Sequence, residues 1–292
     1  MSAAPVSVVT GANSGIGRAT ALHLAATGHT VVGTVRSIAR AGKLLEAAEA
    51  AGVGVELVEL DIADGASVRD GFDRILAEQG RIDHLVNNAG IGGNGVVEET
   101  SSKRILDVMN VDLCGAVRCA QAVLPQMRER RSGTIVNVTS VAGRLAAVAQ
   151  APYVAAKWAL EGISEQLAQE VAPFGIRVAI IEPGVTKSSI FGKNTDAPNE
   201  SGAYDVQYAR MLQMYAAGYL HASDASEVAE VIRHAIETDE PKLRYPVSWG
   251  GAGIIEGRGA MSDEDWVAMG RIESMDEYVV AFREAFGIDI ST

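Results

Sequence analysis

Short runs rich in valine and isoleucine alternate with longer amphipathic stretches, and this alternation constrains the fold more than any other feature. The runs are continuously apolar, which is typical of strands buried on both faces of a parallel sheet. They are VSVVT (6–10), HTVVGTV (29–35), GVELVEL (54–60), HLVNN (84–88), TIVNVTS (134–140), IRVAIIE (176–182) and, as a seventh candidate, LRYPVS (243–248). Helical periodicity occupies 15–27, 38–51, 64–79, 101–131 and 152–173. The pattern predicts an α/β fold: one Rossmann-type, doubly wound parallel sheet of about seven strands with helices on both faces.

No internal repeat, low-complexity tract or Pro/Ser-rich linker divides the 292 residues, so a single domain, 1–292, is predicted. Residues 185–222 lack any strand signal but hold many large apolar side chains, in a chain only 5% aromatic. We interpret 185–222 as a helical substrate lid, with a helix packed on the core as the alternative. Helical order resumes at Asp224, which forms a capping-box pattern with Glu227. Residues 243–292 are interpreted as a C-terminal extension.

Charge and composition exclude several classes of function. The net charge of -12 repels phosphate backbones, and no basic cluster exceeds the short run 128–131, so no nucleic-acid partner is expected. No apolar stretch approaches the length of a membrane span, and the first strand begins too early for a secretory signal. Cys114 and Cys119 lie five residues apart on different faces of one predicted helix, so a disulfide is poorly placed. A cytoplasmic protein without membrane association and with a small-molecule substrate is expected.

The stretch TGANSGIG (10–17) follows the first strand and opens the first helix, as a glycine-rich phosphate loop does. Gly11 permits a tight turn, Gly15 lets the backbone approach a pyrophosphate, and Gly17 allows close packing of helix and sheet. The helix N-terminus supplies N–H donors and a positive dipole. An ordinary glycine-containing turn is the alternative, but the flanking strand and helix favour a dinucleotide site.

The end of the second strand indicates which dinucleotide is preferred. An acidic residue about 20 positions past the glycine loop binds the ribose 2′-hydroxyl of NAD(H). This chain has Val35 and Arg36 there instead. A guanidinium can bind a 2′-phosphate bidentately, so NADP(H) is predicted over NAD(H). Arg36 as a solvated loop charge is the alternative.

Tyr153 and Lys157 lie four residues apart on a predicted helix that is otherwise rich in small residues. At this spacing the two side chains share one helix face. A tyrosine hydroxyl has a solution pKa of about 10, too high for efficient proton exchange near neutrality, and a nearby ammonium favours the phenolate. The pair therefore suits an acid/base device. Individually, a half-buried aromatic and a lysine that extends to the surface are the ordinary explanations.

The chain resembles the short-chain dehydrogenase/reductase family in a set of motifs that occur in family order over residues 6–186. They are TGANSGIG, Asp61 after the third strand, NNAG (87–90), Asn110, Ser140 in NVTSVAG, Tyr153 with Lys157, and PGVT (183–186). The form of the glycine loop resembles the compact oxidoreductase branch, and in particular members like the 17β-hydroxysteroid dehydrogenases. No single motif is specific, but chance does not explain all of them in order.

The resemblance implies a set of cofactor contacts. It assigns them to Gly11, Asn13, Ser14, Gly15, Ile16, Gly17, Asp61, Ile62, Asn88, Ala89, Gly90, Tyr153, Lys157, Pro183, Gly184 and Thr186, and Arg36 completes the set. In the family the residue matching Asp61 bonds the adenine, and the PG segment lies beside the nicotinamide. Taken alone, Asp61 is more often a turn or helix cap, and the NNAG glycine can serve strand termination only.

The resemblance also implies four catalytic residues. Ser140 donates a hydrogen bond to the substrate oxygen, Tyr153 gives or takes the proton, and Lys157 also binds the nicotinamide ribose. Asn110 resembles the family residue that holds a water linking Lys157 to solvent. The ordinary alternatives are a strand-end hydroxyl that caps the backbone at Ser140 and an internally bonded amide at Asn110. No metal is expected, because His23, His29, His84, His221 and His234 show no grouping typical of ligands.

The expected reaction is NADP(H)-dependent hydride transfer between nicotinamide and a secondary alcohol or ketone that is bulky and apolar or aromatic. Residues 90–95 and 143–145 are candidates for the pocket wall opposite the lid. Alternatives are reduction of a 3-oxoacyl thioester and a non-catalytic NADP(H) sensor, which would not need Ser140, Tyr153 and Lys157. By resemblance, helices 101–131 and 152–173 pair between subunits, so a homodimer or homotetramer is expected.

Overall fold

Seven parallel strands form one continuous sheet in the computed structural model, which describes residues 4–187 and 198–292. The strands are β1 (Val6–Thr10), β2 (Thr30–Val35), β3 (Glu56–Glu59), β4 (His84–Asn87), β5 (Gly133–Val138), β6 (Ile176–Pro183) and β7 (Arg244–Val247). Each of the seven predicted strands is found within a few residues of its expected bounds. The predicted fold class, a doubly wound parallel sheet of seven strands, is confirmed.

The strand order is β3-β2-β1-β4-β5-β6-β7. In register, Val8 of β1 pairs with Val32 of β2 on one side and with Leu85 of β4 on the other. The chain therefore winds outward in opposite directions from β1 and β4. Loops leave the carboxyl ends of these two strands toward opposite faces and open a crevice, which is where ligands bind in open α/β sheets.

Helices cover both faces of the sheet. They are α1 (Gly15–Ala26), α2 (Gly42–Ala50), α3 (Gly65–Gln79), α4 (Ser102–Met109), α5 (Gly115–Arg130), α6 (Ala151–Val171), α7 (Asp205–His221), α8 (Ala225–Glu237), α9 (Gly251–Ala260), α10 (Asp263–Met269) and α11 (Met275–Phe286). On one face Leu24 of α1 and Ile232 of α8 pack against the sheet. On the other face Phe72 of α3 and Val123 of α5 do so. Burial of each such side chain contributes about 2–3 kcal/mol to the free energy of folding.

The predicted helix 101–131 is interrupted. A π-helical turn, Asn110–Cys114, separates α4 from α5. A Cβ at Gly115 would lie 2.8 Å from Ile62 Cδ1, so the chain passes very close to the loop after β3 here. A π-helical turn accommodates one extra residue and changes which side chains face the sheet. Side-chain periodicity does not reveal such a turn.

The C-terminal region packs on α7. Phe282 and Phe286 of α11, Ile254 of α9 and Ala217 of α7 belong to one apolar cluster. The guanidinium of Arg210 on α7 also lies 4.2 Å from the centroid of the Tyr278 ring. The part of 185–222 that comprises residues 188–197, with Phe191, lies outside the described residues. Among the helices that are described, none combines the length and apolar character needed to cross a membrane.

Candidate active site

The glycine loop connects β1 to α1 at the centre of the crevice. Gly11 and Gly15 have φ values of +68° and +53°, a region that residues with a Cβ rarely adopt. Helix α1 begins at Gly15, after Ser14 at the N-cap. The first N–H groups of a helix have no partner within the helix, so this end can bind an anion. The strand-loop-helix context predicted for TGANSGIG is present.

The NNAG segment packs directly on the glycine loop. The Thr10 hydroxyl oxygen accepts hydrogen bonds from the Asn88 and Ala89 N–H groups, each at 3.0 Å. Asn88 Nδ2 donates to the Thr10 carbonyl at 2.9 Å. A Cβ at Gly17 would lie 2.4 Å from Asn88 Nδ2, so the two loops meet where only glycine fits. Thr10 therefore joins the two predicted cofactor segments, a role that the sequence reasoning missed.

Three further predicted cofactor residues lie along the same edge of the sheet. Arg36 is exposed at the end of β2. Asp61 is exposed after β3, and its Oδ1 accepts a hydrogen bond from the Ala63 N–H at 2.9 Å, so it caps its own turn. Ile62 is buried against Gly115. Near the glycine loop, Asn13 Nδ2 donates to the Arg40 carbonyl at 3.0 Å.

Tyr153 and Lys157 lie on successive turns of α6, and Lys157 reaches the carboxyl end of β5. Lys157 Nζ is 5.5 Å from the centroid of the Tyr153 ring. It donates a hydrogen bond to the Val138 carbonyl at 3.3 Å. The lysine side chain is 6% exposed. The predicted juxtaposition of phenol and ammonium is present, and the ammonium is buried rather than extended to the surface.

Ser140 follows β5 and lies beside the end of β6. Its hydroxyl accepts a hydrogen bond from the Ala142 N–H at 3.1 Å and donates a long one of 3.5 Å to the Pro183 carbonyl. The structure thus brings Ser140 to the predicted Pro183–Gly184 segment. The hydroxyl also caps the local backbone, which is the ordinary alternative for a serine at the end of a strand. Thr186 is buried, and its hydroxyl donates to Ser248 Oγ at 2.8 Å.

The side chains of Asn110 and Asp112, which lie in the same π-helical turn, have different partners. Asn110 Nδ2 donates to the Ala63 carbonyl at 3.2 Å, and Asn110 Oδ1 accepts from an Arg118 guanidinium nitrogen at 2.7 Å. Asp112 is the residue of this segment that reaches Lys157, with its Oδ2 3.3 Å from Nζ. The role predicted for Asn110, holding a water that links Lys157 to solvent, needs no direct contact with Lys157 and stays a prediction.

Two buried carboxylates, Glu161 and Glu182, pair with partly exposed arginines, and this group was also missed. Glu161 Oε1 accepts a hydrogen bond from the Thr139 hydroxyl at 2.6 Å, and Glu161 Oε2 pairs with Arg244 at 3.1 Å. Glu182 is fully buried at the end of β6, 3.4 Å from Arg144. Burial, followed by the charge of Glu161, raises the pKa of Glu182 to about 7, although Arg144 and Arg244 oppose the rise. No local motif connects these residues, because they come from four separate segments.

Helix α7 packs against segment 94–98 through tyrosines. The Tyr215 hydroxyl donates to Asn94 Oδ1 at 2.7 Å, the Val96 N–H donates to the Tyr208 hydroxyl at 3.3 Å, and Tyr204 donates to Glu98. The same segment is joined to the start of α6, because the Gly95 N–H donates to the Ala149 carbonyl at 2.7 Å. Helix α7 is therefore connected to the segment that leads into Tyr153.

Comparison with known proteins supports the family resemblance found in the sequence. Residues 5–199 match the family described as short chain dehydrogenase. A 3-ketodihydrosphingosine reductase from Bacteroides thetaiotaomicron is 40% identical over 178 residues, which are 61% of this chain and 62% of that protein, less than two thirds of its length. Estradiol 17-beta-dehydrogenase 1 from Rattus norvegicus is 36% identical over 253 residues, covering 82% of this chain and 72% of that protein. The crystal structure of a short-chain dehydrogenase from Streptomyces avermitilis is 36% identical with a TM-score of 0.79, covering 93% of this chain and 100% of that one.

A parallel sheet with a glycine loop at its switch point and a family match over the site segments define a nucleotide-binding oxidoreductase. The chain belongs to the short-chain dehydrogenase family. It is an enzyme that acts on CH–OH and C=O groups of small molecules, with a nicotinamide cofactor. The resemblance found in its sequence is confirmed.

Proposed function

We propose that this enzyme transfers hydride between NADP(H) and a bulky, apolar or aromatic secondary alcohol or ketone, with Ser140, Tyr153 and Lys157 as its catalytic residues. The observation that carries the proposal is the buried Lys157 ammonium, 5.5 Å from the centroid of the Tyr153 ring. A buried ammonium stabilises a phenolate more strongly than a solvated one, because less water screens the charge. Tyr153 can then take a proton from an alcohol or return it to an alkoxide.

Ser140 is assigned to hold the substrate oxygen. A hydroxyl placed where negative charge develops stabilises the transition state of carbonyl reduction. The Ser140 hydroxyl is already oriented by the Ala142 N–H, and its present acceptor, the Pro183 carbonyl, is distant at 3.5 Å. Replacement of that weak hydrogen bond by one to the substrate oxygen would cost little free energy. Ser140 would thus position the substrate while Tyr153 exchanges the proton.

The residues at the switch point fit a dinucleotide. A Cβ at Gly11 would lie 2.9 Å from Ala89 Cα, and one at Gly184 would lie 2.1 Å from the Trp249 carbonyl oxygen. At both positions the backbone of a neighbouring segment therefore lies too close for any residue but glycine. Gly11–Gly17 and the first turn of α1 would hold the pyrophosphate, and Asn88, Ala89 and Gly90 would border the ribose. When bound, the nicotinamide supplies or accepts the hydride.

Preference for NADP(H) rests on Arg36. Within residues 4–187 and 198–292 no hydrogen bond or ion pair occupies its guanidinium, and that guanidinium is exposed at the carboxyl end of β2. A guanidinium without a carboxylate partner retains its donors for a phosphate. The Glu59 carboxylate nearby instead accepts the Ile38 N–H at 3.1 Å.

We further propose that 1–292 forms one domain, that 185–222 covers the substrate, and that 243–292 supports this cover. Support comes from the apolar character of the contacts. Tyr208 and Met211 of α7 are buried with Val96 and Ala149, adjacent to the segment that leads into Tyr153. An apolar wall at this position favours a bulky apolar substrate over a charged carrier-bound one. The name of the rat relative, which acts on estradiol, agrees with this choice.

Association into a homodimer or homotetramer is proposed through α4, α5 and α6. Trp158 and Ile163 of α6 are 48% and 44% exposed, and Leu106 of α4 is 63% exposed. Exposed large apolar side chains on adjacent helices favour contact with another copy. A reducing cytoplasm is the proposed setting, because Cys114 and Cys119 are both free thiols. Sedimentation that detects only monomer would contradict the proposed association.

A substrate screen tests the proposed function. Steroid, aryl-ketone, acyl-thioester and sugar substrates are incubated with NADPH or NADH, and the absorbance of the reduced nicotinamide is followed. We expect turnover that is fastest with steroid or aryl ketones and with NADPH. No turnover with any class would contradict the proposal, and a clear preference for acyl thioesters would contradict its substrate assignment.

A further inference from the structure

Asp112 is buried in direct contact with the catalytic lysine. Its side chain is 0% exposed, and Oδ2 lies 3.3 Å from Lys157 Nζ. Its other oxygen, Oδ1, accepts a hydrogen bond of 2.7 Å from the Ile91 N–H. One carboxylate therefore links the segment after β4 to α6. A buried carboxylate is costly unless it is paired and hydrogen-bonded, and Asp112 has both kinds of partner.

The local fold is adapted to this carboxylate. A Cβ at Gly90 would lie 3.0 Å from Asp112 Oδ2, so the glycine at the end of NNAG leaves room for it. The π-helical turn Asn110–Cys114 points Asp112 at α6 while Asn110 bonds Ala63 and Arg118 elsewhere. π-helical turns often occur at functional positions.

The charges that face Lys157 come from two elements. Helix α6 contributes Tyr153 and Glu161, and the π-helical turn contributes Asp112, while β5 supplies only the neutral Val138 carbonyl. Burial alone lowers the pKa of Lys157, but the charge of Asp112, followed by Tyr153 and Glu161, outweighs burial and holds that pKa above its ordinary value. Lys157 is therefore an ammonium whose charge is largely compensated by an adjacent carboxylate.

We propose that Asp112 is a positioning residue of the acid/base pair, which fixes Lys157 Nζ and compensates its charge, so that Tyr153 faces an ion pair and not an isolated ammonium. This inference rests on the proposed function of Tyr153 and Lys157. Its consequence is that Asp112 keeps Lys157 charged and in place beside the Tyr153 ring. Removal of this negative charge acts on the phenol in two ways, because it ends a repulsion of the phenolate but also lets burial lower the pKa of Lys157.

The test is a titration of the apoprotein in which phenolate absorbance is followed against pH. The Tyr153 signal is obtained as the difference between each protein and the same protein carrying Tyr153→Phe. In Asp112→Asn the amide keeps an oxygen for the Ile91 N–H but has no charge. We expect the pH midpoint of phenolate formation to move by about one pH unit, the size expected for one charge at this separation.

Asp107→Asn is the matched control. Asp107 lies on α4 and pairs with Lys103 at 2.7 Å, but that pair is exposed, so its removal should leave the midpoint unchanged. Asp112→Ser is a second neutral variant, smaller than aspartate, in case the asparagine variant does not fold. An unchanged midpoint in a folded neutral variant overturns the inference, and so does failure of both variants to fold, since Asp112 would then serve structure alone.

A pH–rate profile of alcohol oxidation with NADP+ gives a second readout. The acid limb of the Asp112→Asn profile should move in the same direction as the titration midpoint and by a similar amount. The two proposals fail differently. A wild-type protein without oxidoreductase turnover contradicts the proposed function, whereas an active wild type and an unshifted Asp112→Asn contradict only the role of Asp112.

Discussion

Gly17→Ala tests whether the glycine loop and the NNAG segment form one cofactor cradle. The added Cβ would lie 2.4 Å from both Asn88 Nδ2 and the Gly11 carbonyl oxygen, whereas ordinary contact begins at 3.4 Å. The two loops must therefore separate by about 1 Å, the difference between these distances. The 2.9 Å bond from Asn88 Nδ2 to the Thr10 carbonyl would then exceed hydrogen-bond range.

The expected loss in the free energy of unfolding follows from these two changes. Overpacking in a close contact destabilises by about 1–3 kcal/mol, and loss of one hydrogen bond adds about 1 kcal/mol. Because the displaced groups are those assigned to the cofactor, we expect NADPH binding to weaken about 100-fold, which corresponds to about 2.7 kcal/mol of binding free energy. Titration of NADPH by fluorescence measures the dissociation constant, and urea unfolding measures the free energy of unfolding.

Gly259→Ala is the matched control for this substitution. Gly259 lies in α9, and an added Cβ there meets no atom within 4 Å. Alanine should stabilise the helix by up to about 1 kcal/mol and leave NADPH binding unchanged. If Gly17→Ala binds NADPH within about threefold of the wild type, the reasoning that this contact builds the cofactor cradle is refuted.

Two further predictions concern charge. The pKa of Glu182 is about 7 in the folded protein, above its ordinary value of 4.5. Between these two pH values the folded state holds a proton that the unfolded state has lost. The free energy of unfolding therefore falls as pH rises through this window, by at most about 3 kcal/mol. Glu182→Gln lacks this fall, so urea unfolding should show its stability rising relative to wild type between pH 5 and pH 8; a constant difference would contradict the assignment. Arg36→Ala should reduce kcat/KM for NADPH about 10- to 100-fold and leave kcat/KM for NADH nearly unchanged. The matched Arg128→Ala should alter neither value, and equal losses with both nucleotides would remove Arg36 from 2′-phosphate recognition.

The strands and the glycine loop could be predicted from the sequence because their signals are local. Continuous apolar runs such as Ile176–Glu182 have few alternatives to a buried strand. Gly11 and Gly15 take positive φ, which a glycine in a strand-to-helix turn already suggests. The spacing of Tyr153 and Lys157 places both on one face in any regular α-helix.

The other features of the site could not be predicted from the sequence. They depend on an irregular helical turn and on contacts between residues that are distant in sequence. Periodicity predicts one helix from 101 to 131, and only the three-dimensional structure reveals the π-helical turn from which Asp112 reaches Lys157. Glu161 and Glu182 are distant in sequence, and each one alone resembles an ordinary surface acid. Their burial together follows from the pairing of β6 with β7, which brings Arg244 to both.

The central claim is that the phenol of Tyr153 exchanges a proton with the substrate. Tyr153→Phe keeps the ring beside Lys157 but removes the hydroxyl, so we expect turnover to fall by about 10²- to 10⁴-fold. NADPH should still bind within about threefold of the wild-type dissociation constant. Tyr219→Phe, at a tyrosine that is 87% exposed, should retain full activity. Near-normal turnover in a folded Tyr153→Phe protein would contradict the mechanism.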